Sequence, residues 1–414
     1  MLRRHLEGPI LAGLADSPVV LLVGARQTGK STLVQAPAFQ KDNRRFLTFD
    51  DSNILAAAKA DPAGFLNSYT EPLNLDEVQR VPELFLALKA SVDQDRRSGR
   101  YLLSGSANVL FLSKVADSLA GRMEVLTLWP FSQGEIEGVR EGFVDAVFGA
   151  SLPKLRALDG WDERKEIRQR VIRGGFPEIL TRASPERQKA WFGSYLTTIL
   201  QRDVRDLSRI EDITAVPRLL SILASRAGGL LNAADLSRGS GIAQTTLKRY
   251  LSLLQTVFLF QELPAWSENV AKRFVKMPKV FLSDSGLTAH LLGASEQRIV
   301  ENPSMLGPLL ENFVCMELRK QIAWSKEHSQ LFHWRTHAQQ EVDLVLESGG
   351  RLVGIEVKAS STVTASDFKG LKVLAAETRQ RFIRGVVIYT GSELLPFGQN
   401  LTAMPVSALW RLGA

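Results

Sequence analysis

Between residues 18 and 130 short apolar runs alternate with stretches of helical texture. The runs are VVLLVG, RFLTFD, EPLNLD, YLLSGS and EVLTLW. A strand covered on both faces reads as a continuous apolar run, and strands alternating with helices predict a parallel α/β sheet. From about residue 150 to 260 the spacing shifts to the 3.6-residue period, as in QKAWFGSYLTTILQRDVRDL, which predicts an almost wholly helical stretch. After about residue 300 strands return in a second, smaller α/β unit. The expected fold class is α/β multidomain, divided into 1–145, 146–211, 212–270 and 271–414. The chain has no internal repeat and no low-complexity run.

Composition adds three constraints. At 414 residues the chain exceeds one ordinary core. The apolar stretch near the start, in MLRRHLEGPILAGLADSP, is interrupted by Glu7, Pro9 and Asp16, which disfavours a signal peptide, and no later run is long enough to span a bilayer. Cys315 is the single cysteine, so an internal disulfide and a multi-cysteine zinc site are excluded. A cytoplasmic protein without a membrane partner is the expectation. Charge is uneven: residues 1–150 hold 16 basic and 18 acidic side chains, and the remainder holds 35 and 26. Either this is ordinary solvated surface, or the second part of the chain meets a polyanion such as DNA.

The densest chemistry lies in VVLLVGARQTGKSTLV, where Gly24, Gly29, Lys30 and Ser31 have the G-x4-G-K-[ST] spacing after a predicted strand and before a predicted helix. Backbone N–H groups of such a loop surround phosphate oxygens, and glycine permits the required dihedrals. Lys30 is expected to reach the β- and γ-phosphates of ATP and Ser31 to bind Mg²⁺, with Gln27, Thr28 and Thr32 completing the nucleotide site. About 45 residues later, EPLNLDEVQ places Asp76 and Glu77 after an apolar run. At the C-terminal end of a parallel strand this pair lies beside the phosphates, Asp76 holding Mg²⁺ through water and Glu77 acting on the attacking water. Ser104 and Ser106 end the next predicted strand and are candidates for contact with the γ-phosphate or the water; turn-forming serines are the plainer alternative.

Two further constellations follow. LLNAADLSRGSGIAQTTLKRYLSLLQ reads as a helix over 233–238, a glycine-containing turn over 239–242 and a second helix over 244–255. This is helix-turn-helix spacing. Leu247, Tyr250, Leu251 and Leu254 repeat at core spacing, which leaves Gln244, Thr245, Thr246, Lys248 and Arg249 facing outward for DNA, unless the module serves packing alone. In EVDLVLE, alternation puts Val342, Leu344 and Leu346 on one face and Asp343 on the other. In RLVGIEVKAS, Ile355 and Val357 point inward and Glu356 and Lys358 outward. Asp343, Glu356 and Lys358 then converge, with Glu311 of the upstream helix as a further carboxylate and Glu317 as the less favoured choice. This pattern suits a second Mg²⁺ site of the PD-(D/E)xK nuclease kind, or a solvated ion-pair cluster.

GARQTGKST, LDEVQ, LSGSA, SLAGR, RGGFPE, YLTTILQRDV, FLSDSGL, LLENFVCMELRK and EVDLVLE followed by GIEVKAS together resemble prokaryotic AAA+-type ATPases with a winged helix and a C-terminal nuclease-like domain. The resemblance covers nearly the whole chain. It implies a P-loop AAA+-like core, a helical segment, a winged helix-turn-helix and a restriction-endonuclease-like α/β domain. It also implies that Arg122 reaches the nucleotide of a neighbouring subunit, hence a ring or other homo-oligomer, while Arg173 is a weak match to a lid arginine. An ATPase that binds or remodels duplex or branched DNA is the leading expectation. A nucleotide-switched signalling or defence protein acting through protein partners is the alternative, and a purely structural DNA clamp the third reading.

Overall fold

The structure, a computed structural model, describes residues 2–40, 43–106, 119–155, 161–201, 215–336 and 338–413. The five apolar runs become β1 (Val19–Val23), β2 (Arg45–Thr48), β3 (Leu73–Asp76), β4 (Tyr101–Gly105) and β5 (Met123–Thr127). They form one all-parallel sheet in the order β2-β3-β4-β1-β5. Val19, Leu21 and Val23 face a core built with Phe65, Leu84 and Leu88. Val20 and Leu22 face Leu6, Ile10 and Leu33 on the other side. Two-sided burial is the reason these strands lack polar alternation.

Helices Glu163–Arg173, Pro177–Leu180 and Pro185–Ile199 follow, then Ala215–Ser225, Ala233–Ser240 and Gln244–Thr256. Helix Ala233–Ser240 starts on the Asn232 side chain, which accepts from the Ala234 and Asp235 N–H groups, and ends at Gly241 with φ of 76°. That left-handed end favours glycine and turns the chain into the next helix. The strands β6 (Phe260–Leu263) and β7 (Lys279–Leu282) pair antiparallel, Phe260 opposite Leu282. The boundary expected near 270 therefore falls inside a ribbon.

The last part is a six-stranded mixed sheet of β8 (Gln330–Arg335), β9 (Glu341–Ser348), β10 (Arg351–Lys358), β11 (Phe382–Tyr389), β12 (Leu395–Gly398) and β13 (Leu401–Pro405), ordered β12-β13-β11-β10-β9-β8. Helix Leu306–Ile322 covers one face with Leu344, Leu346 and Ile355, and helix Lys369–Thr378 the other with Val342, Val345 and Val387. Val342 thus lies opposite Leu344, which corrects the simple alternation expected for EVDLVLE. The cause is a register shift: Phe332 pairs with Val345 but Trp334 with Val342, so β9 carries one extra residue there. The bulge turns Asp343 toward the side of helix Leu306–Ile322.

Polar groups join the parts. Asn312 accepts from Leu282 N at 2.8 Å and donates to Leu282 O at 3.1 Å, gripping β7. Glu317 accepts from Gln133 N at 2.9 Å, and Lys320 donates to Phe131 O at 2.9 Å. No helix among the described residues is long and apolar enough to cross a membrane.

Two glycines test the packing. A Cβ on Gly370 would lie 2.0 Å from the Glu341 carbonyl oxygen of β9, whereas one on Gly307 meets nothing within 4 Å. Gly370→Ala is expected to destabilise by about 1–3 kcal/mol, and Gly307→Ala, inside a helix, to be neutral or stabilising by up to about 1 kcal/mol. Urea unfolding of both variants checks this; equal midpoints would contradict the close approach of helix Lys369–Thr378 to β9.

Candidate functional site

β1 stops at Val23, and Gly24 turns the chain with φ of 155°. A Cβ there would lie 2.2 Å from the Leu128 carbonyl oxygen, so the loop leaves the sheet by pressing against the exit of β5. Gln27 and Gly29 have φ of 61° and 92°, and helix Lys30–Val34 begins at once. Thr28 closes the turn by donating to Ala25 O at 2.9 Å. Lys30 is buried, and its Nζ donates to Gly24 O at 2.9 Å and Ala25 O at 2.7 Å. Arg4 braces the loop from behind: it donates to Thr28 O at 2.9 Å and to Trp129 O at 2.6 Å, and pairs with Glu135 at 3.1 Å.

The sheet order sets β4 between β3 and β1, which carries Asp76 and Ser104 toward the loop. Buried Asp76 accepts a hydrogen bond from the Ser104 hydroxyl. Glu77 takes the left-handed backbone conformation, with φ of 59°, just beyond the strand. Its carboxylate accepts from Gln79 Nε2, which also donates to Ser106 Oγ at 2.9 Å. Ser106 N donates back to Gln79 Oε1 at 3.3 Å. Gln79, in the LDEVQ run, was not singled out from the sequence, yet it ties the two candidates Glu77 and Ser106 together.

Gln27, Gly29, Lys30, Ser31, Thr32, Glu77 and Ser106 border one cleft of about 800 Å³. Its opposite wall is the helical segment: Glu178, Arg182, Trp191, Ser194, Tyr195 and Thr198. The Trp191 and Tyr195 rings stack at 4.9 Å, and the Tyr195 hydroxyl donates to Arg26 O at 3.4 Å, which draws helix Pro185–Ile199 onto the loop. Glu178 lies in the RGGFPE run and Tyr195 and Thr198 in YLTTILQRDV, but no sequence reasoning assigned them to the site; only the tertiary fold brings them to the loop. Arg182, paired with Glu178 at 3.2 Å, borders the cleft, and Arg173 does not.

Arg122 lies elsewhere. It precedes β5, and β5 runs parallel to β1 with Met123 beside Val19 and Thr127 beside Val23. Arg122 is therefore at the end of the sheet away from its own chain's loop, separated by a strand length of roughly 16 Å. There it pairs with Asp93 at 2.6 Å. On helix Gln244–Thr256, Leu247, Tyr250, Leu251 and Leu254 are buried. Gln244, Thr245, Lys248 and Arg249 are exposed and Thr246 is half-buried.

In the C-terminal part Lys279 of β7, which sequence reasoning missed, stands among the expected carboxylates. Its Nζ is 2.7 Å from Glu311 Oε1 and 3.0 Å from Asp343 Oδ1. Asp343 Oδ2 accepts from Val357 N at 3.0 Å, and Glu356 pairs with Lys358 at 2.9 Å. Burial, then the neighbouring Asp343, pushes the Glu311 carboxyl up to about 8 and the Glu356 carboxyl up to about 7. Burial, then the Lys279 charge, pushes His333 down to about 4. Glu317 is not part of this group; it pairs with Lys320 at 2.6 Å. Among the described residues no group of three or more His, Cys, Asp or Glu side chains is placed to hold a metal ion, in contrast to the second Mg²⁺ site expected from the spacing.

An AAA domain family matches residues 16–137, and two domains of unknown function match 164–298 (DUF8612) and 306–409 (DUF4143). Of solved structures, the Walker-type ATPase PABY2304 of Pyrococcus abyssi is similar with a TM-score of 0.44 at 16% identity, over 70% of this chain and 96% of that one. An uncharacterized Haemophilus influenzae protein is 22% identical over 362 residues, 82% of each chain. The uncharacterized proteins Rv2008c of Mycobacterium tuberculosis and Mb2031c of Mycobacterium bovis are each 31% identical over 413 residues, spanning 100% of this chain and 85% of theirs. The chain thus belongs to one family with Rv2008c and Mb2031c, and its N-terminal part is an AAA-type, P-loop ATPase-like domain.

Proposed function

We propose that this protein hydrolyses ATP in the cleft above β1 and uses the cycle to bind or remodel DNA. The observation that carries the first half is the convergence of Lys30, Ser31, Glu77 and Ser106, from three separate strand ends, on one cleft walled by Trp191 and Tyr195. The loop N–H groups and Lys30 bind the phosphates, and the glycines leave the backbone open to them. The residues suited to hold Mg²⁺ are Ser31 and Asp76; the chemistry the ion supplies is neutralisation of charge on the phosphate oxygens. Glu77, oriented by Gln79, takes the proton from the attacking water, and Ser106 positions that water. Arg122, distant from its own chain's loop, serves the nucleotide of an adjacent copy, so the working form is a homo-oligomer. Positive charge placed at a transferring phosphoryl group stabilises the transition state.

The second half rests on helices Ala233–Ser240 and Gln244–Thr256 with the β6–β7 ribbon, an arrangement that suits a winged helix. The exposed Gln244, Thr245, Lys248 and Arg249 form a polar, basic helix face of the kind that meets phosphates and base edges. Phosphate release and nucleotide binding, measured with duplex, branched and single-stranded DNA, test the whole reading. DNA-stimulated turnover supports it; nucleotide-dependent assembly without DNA affinity favours a switch that acts through protein partners.

Lys30→Ala is expected to abolish nucleotide binding, while Glu77→Gln keeps it and lowers turnover by roughly 10²-fold or more, because the carboxylate acts only in the chemical step. Calorimetry with a phosphate-release assay separates the two, and unimpaired turnover in both variants would refute the site. Lys248→Ala with Arg249→Ala should weaken DNA binding and reduce the slope of log affinity against log salt by about 2. Anisotropy titrations over a salt series read that slope, and an unchanged value moves the DNA face elsewhere. Mixing Arg122→Ala with Glu77→Gln protein should regain ATP turnover that neither shows alone, since some interfaces then join an intact loop to an intact arginine. A monomer with full activity excludes the shared site.

A further inference from the structure

The carboxylates of β9, β10 and helix Leu306–Ile322 invite a metal ion, and the arrangement around them does not suit one. A divalent cation shared by Glu311 and Asp343 would stand between them. The Lys279 ammonium already stands there, 2.7 Å from one and 3.0 Å from the other. The second Asp343 oxygen is engaged by Val357 N at 3.0 Å, and Glu356 faces Lys358 at 2.9 Å.

Lys279 has no room to withdraw. It is 4% exposed. β7 is paired with β6 on one edge and bridged to Leu230, and Asn312 grips the Leu282 backbone at its end. The lid over the carboxylates is Gly228, with φ of 79°; a Cβ there would lie 2.4 Å from Glu311 Oε2. The ammonium, its two carboxylates and the glycine that admits them come from four separate segments, so the cluster ties the ribbon to the six-stranded sheet.

We infer that Lys279 is the built-in counter-ion of this cluster, which works as a clasp between the β6–β7 ribbon and the C-terminal sheet and not as a metal centre for phosphodiester cleavage. The ribbon and the sheet then move as one body when the adjoining helices shift. Lys358, by contrast, is a third exposed and pairs with Glu356 at the edge of the cluster.

The test joins Mn²⁺ calorimetry with thermal melting, on the full chain without nucleotide. Wild-type and Asp343→Asn proteins should give the same Mn²⁺ heats. Lys279→Met should melt roughly 3–6 °C lower, since it strands the buried Asp343 carboxylate and leaves Glu311 without its partner. Lys279→Met with Asp343→Asn, which removes the stranded charge, should recover part of that loss. One Mn²⁺ bound per wild-type chain and lost in Asp343→Asn overturns the inference, as does a Lys279→Met protein that melts like wild type. The metal comparison needs no lysine variant, so it decides the matter even where Lys279→Met fails to fold, which itself counts as the larger loss of a clasp.

Discussion

A charge removed from water costs several kcal/mol unless a counter-charge and hydrogen bonds replace its hydration. This chain buries such charges at three junctions between its described parts. Arg4 with Glu135 braces the phosphate-type loop. Glu317 with Lys320 holds the 131–133 segment against helix Leu306–Ile322. Lys279 with Glu311 and Asp343 fastens the ribbon to the second sheet. Arg4 with Glu135, and Lys279 with Glu311 and Asp343, join segments far apart in sequence, and the local Glu317–Lys320 pair completes its hydrogen bonding only on the distant 131–133 segment, so alternative packings of the same apolar surfaces leave these groups unsatisfied. Apolar burial drives collapse without direction; these groups specify which of the collapsed arrangements is retained.

The same logic shapes the cleft. Gly24 leaves β1 by pressing on Leu128 O, and Arg4 fixes the far side of the loop through Thr28 O and Trp129 O. The loop geometry is thus set by β5 and the N-terminal segment as well as by its own residues. Glu77 is likewise held in place by Gln79 and Ser106. The helical wall at Trp191 and Tyr195 closes the cleft and shares a core with the sheet, through Val23, Phe176 and Leu287 among others.

Helix Leu306–Ile322 has a central place in this arrangement. Glu311 on it meets Lys279, Asn312 grips β7, and Glu317 and Lys320 reach the segment that follows β5. One helix therefore touches the ATPase-like domain, the ribbon and the second sheet.

What the sequence by itself determined were the local features. The five strands of the first sheet were legible because two-sided burial leaves continuous apolar runs, and the loop motif was legible because its dihedrals demand glycine at set spacing. The polar face of helix Gln244–Thr256 followed from 3.6-residue periodicity. The acidic pair was readable because it directly ends an apolar run. Other features needed the tertiary structure. The bulge that turns Asp343 toward helix Leu306–Ile322 breaks period-two alternation, and no residue type announces it. Trp191, Tyr195 and Arg182 read as ordinary helical positions until the helices fold over the loop. Lys279 reads as a polar strand start, and its role exists only where β7, β9 and the Glu311 helix meet. Backbone conformation and periodicity are local and leave a mark in the sequence; the compensation of a buried charge is a contact between distant segments, and only the fold decides its partner.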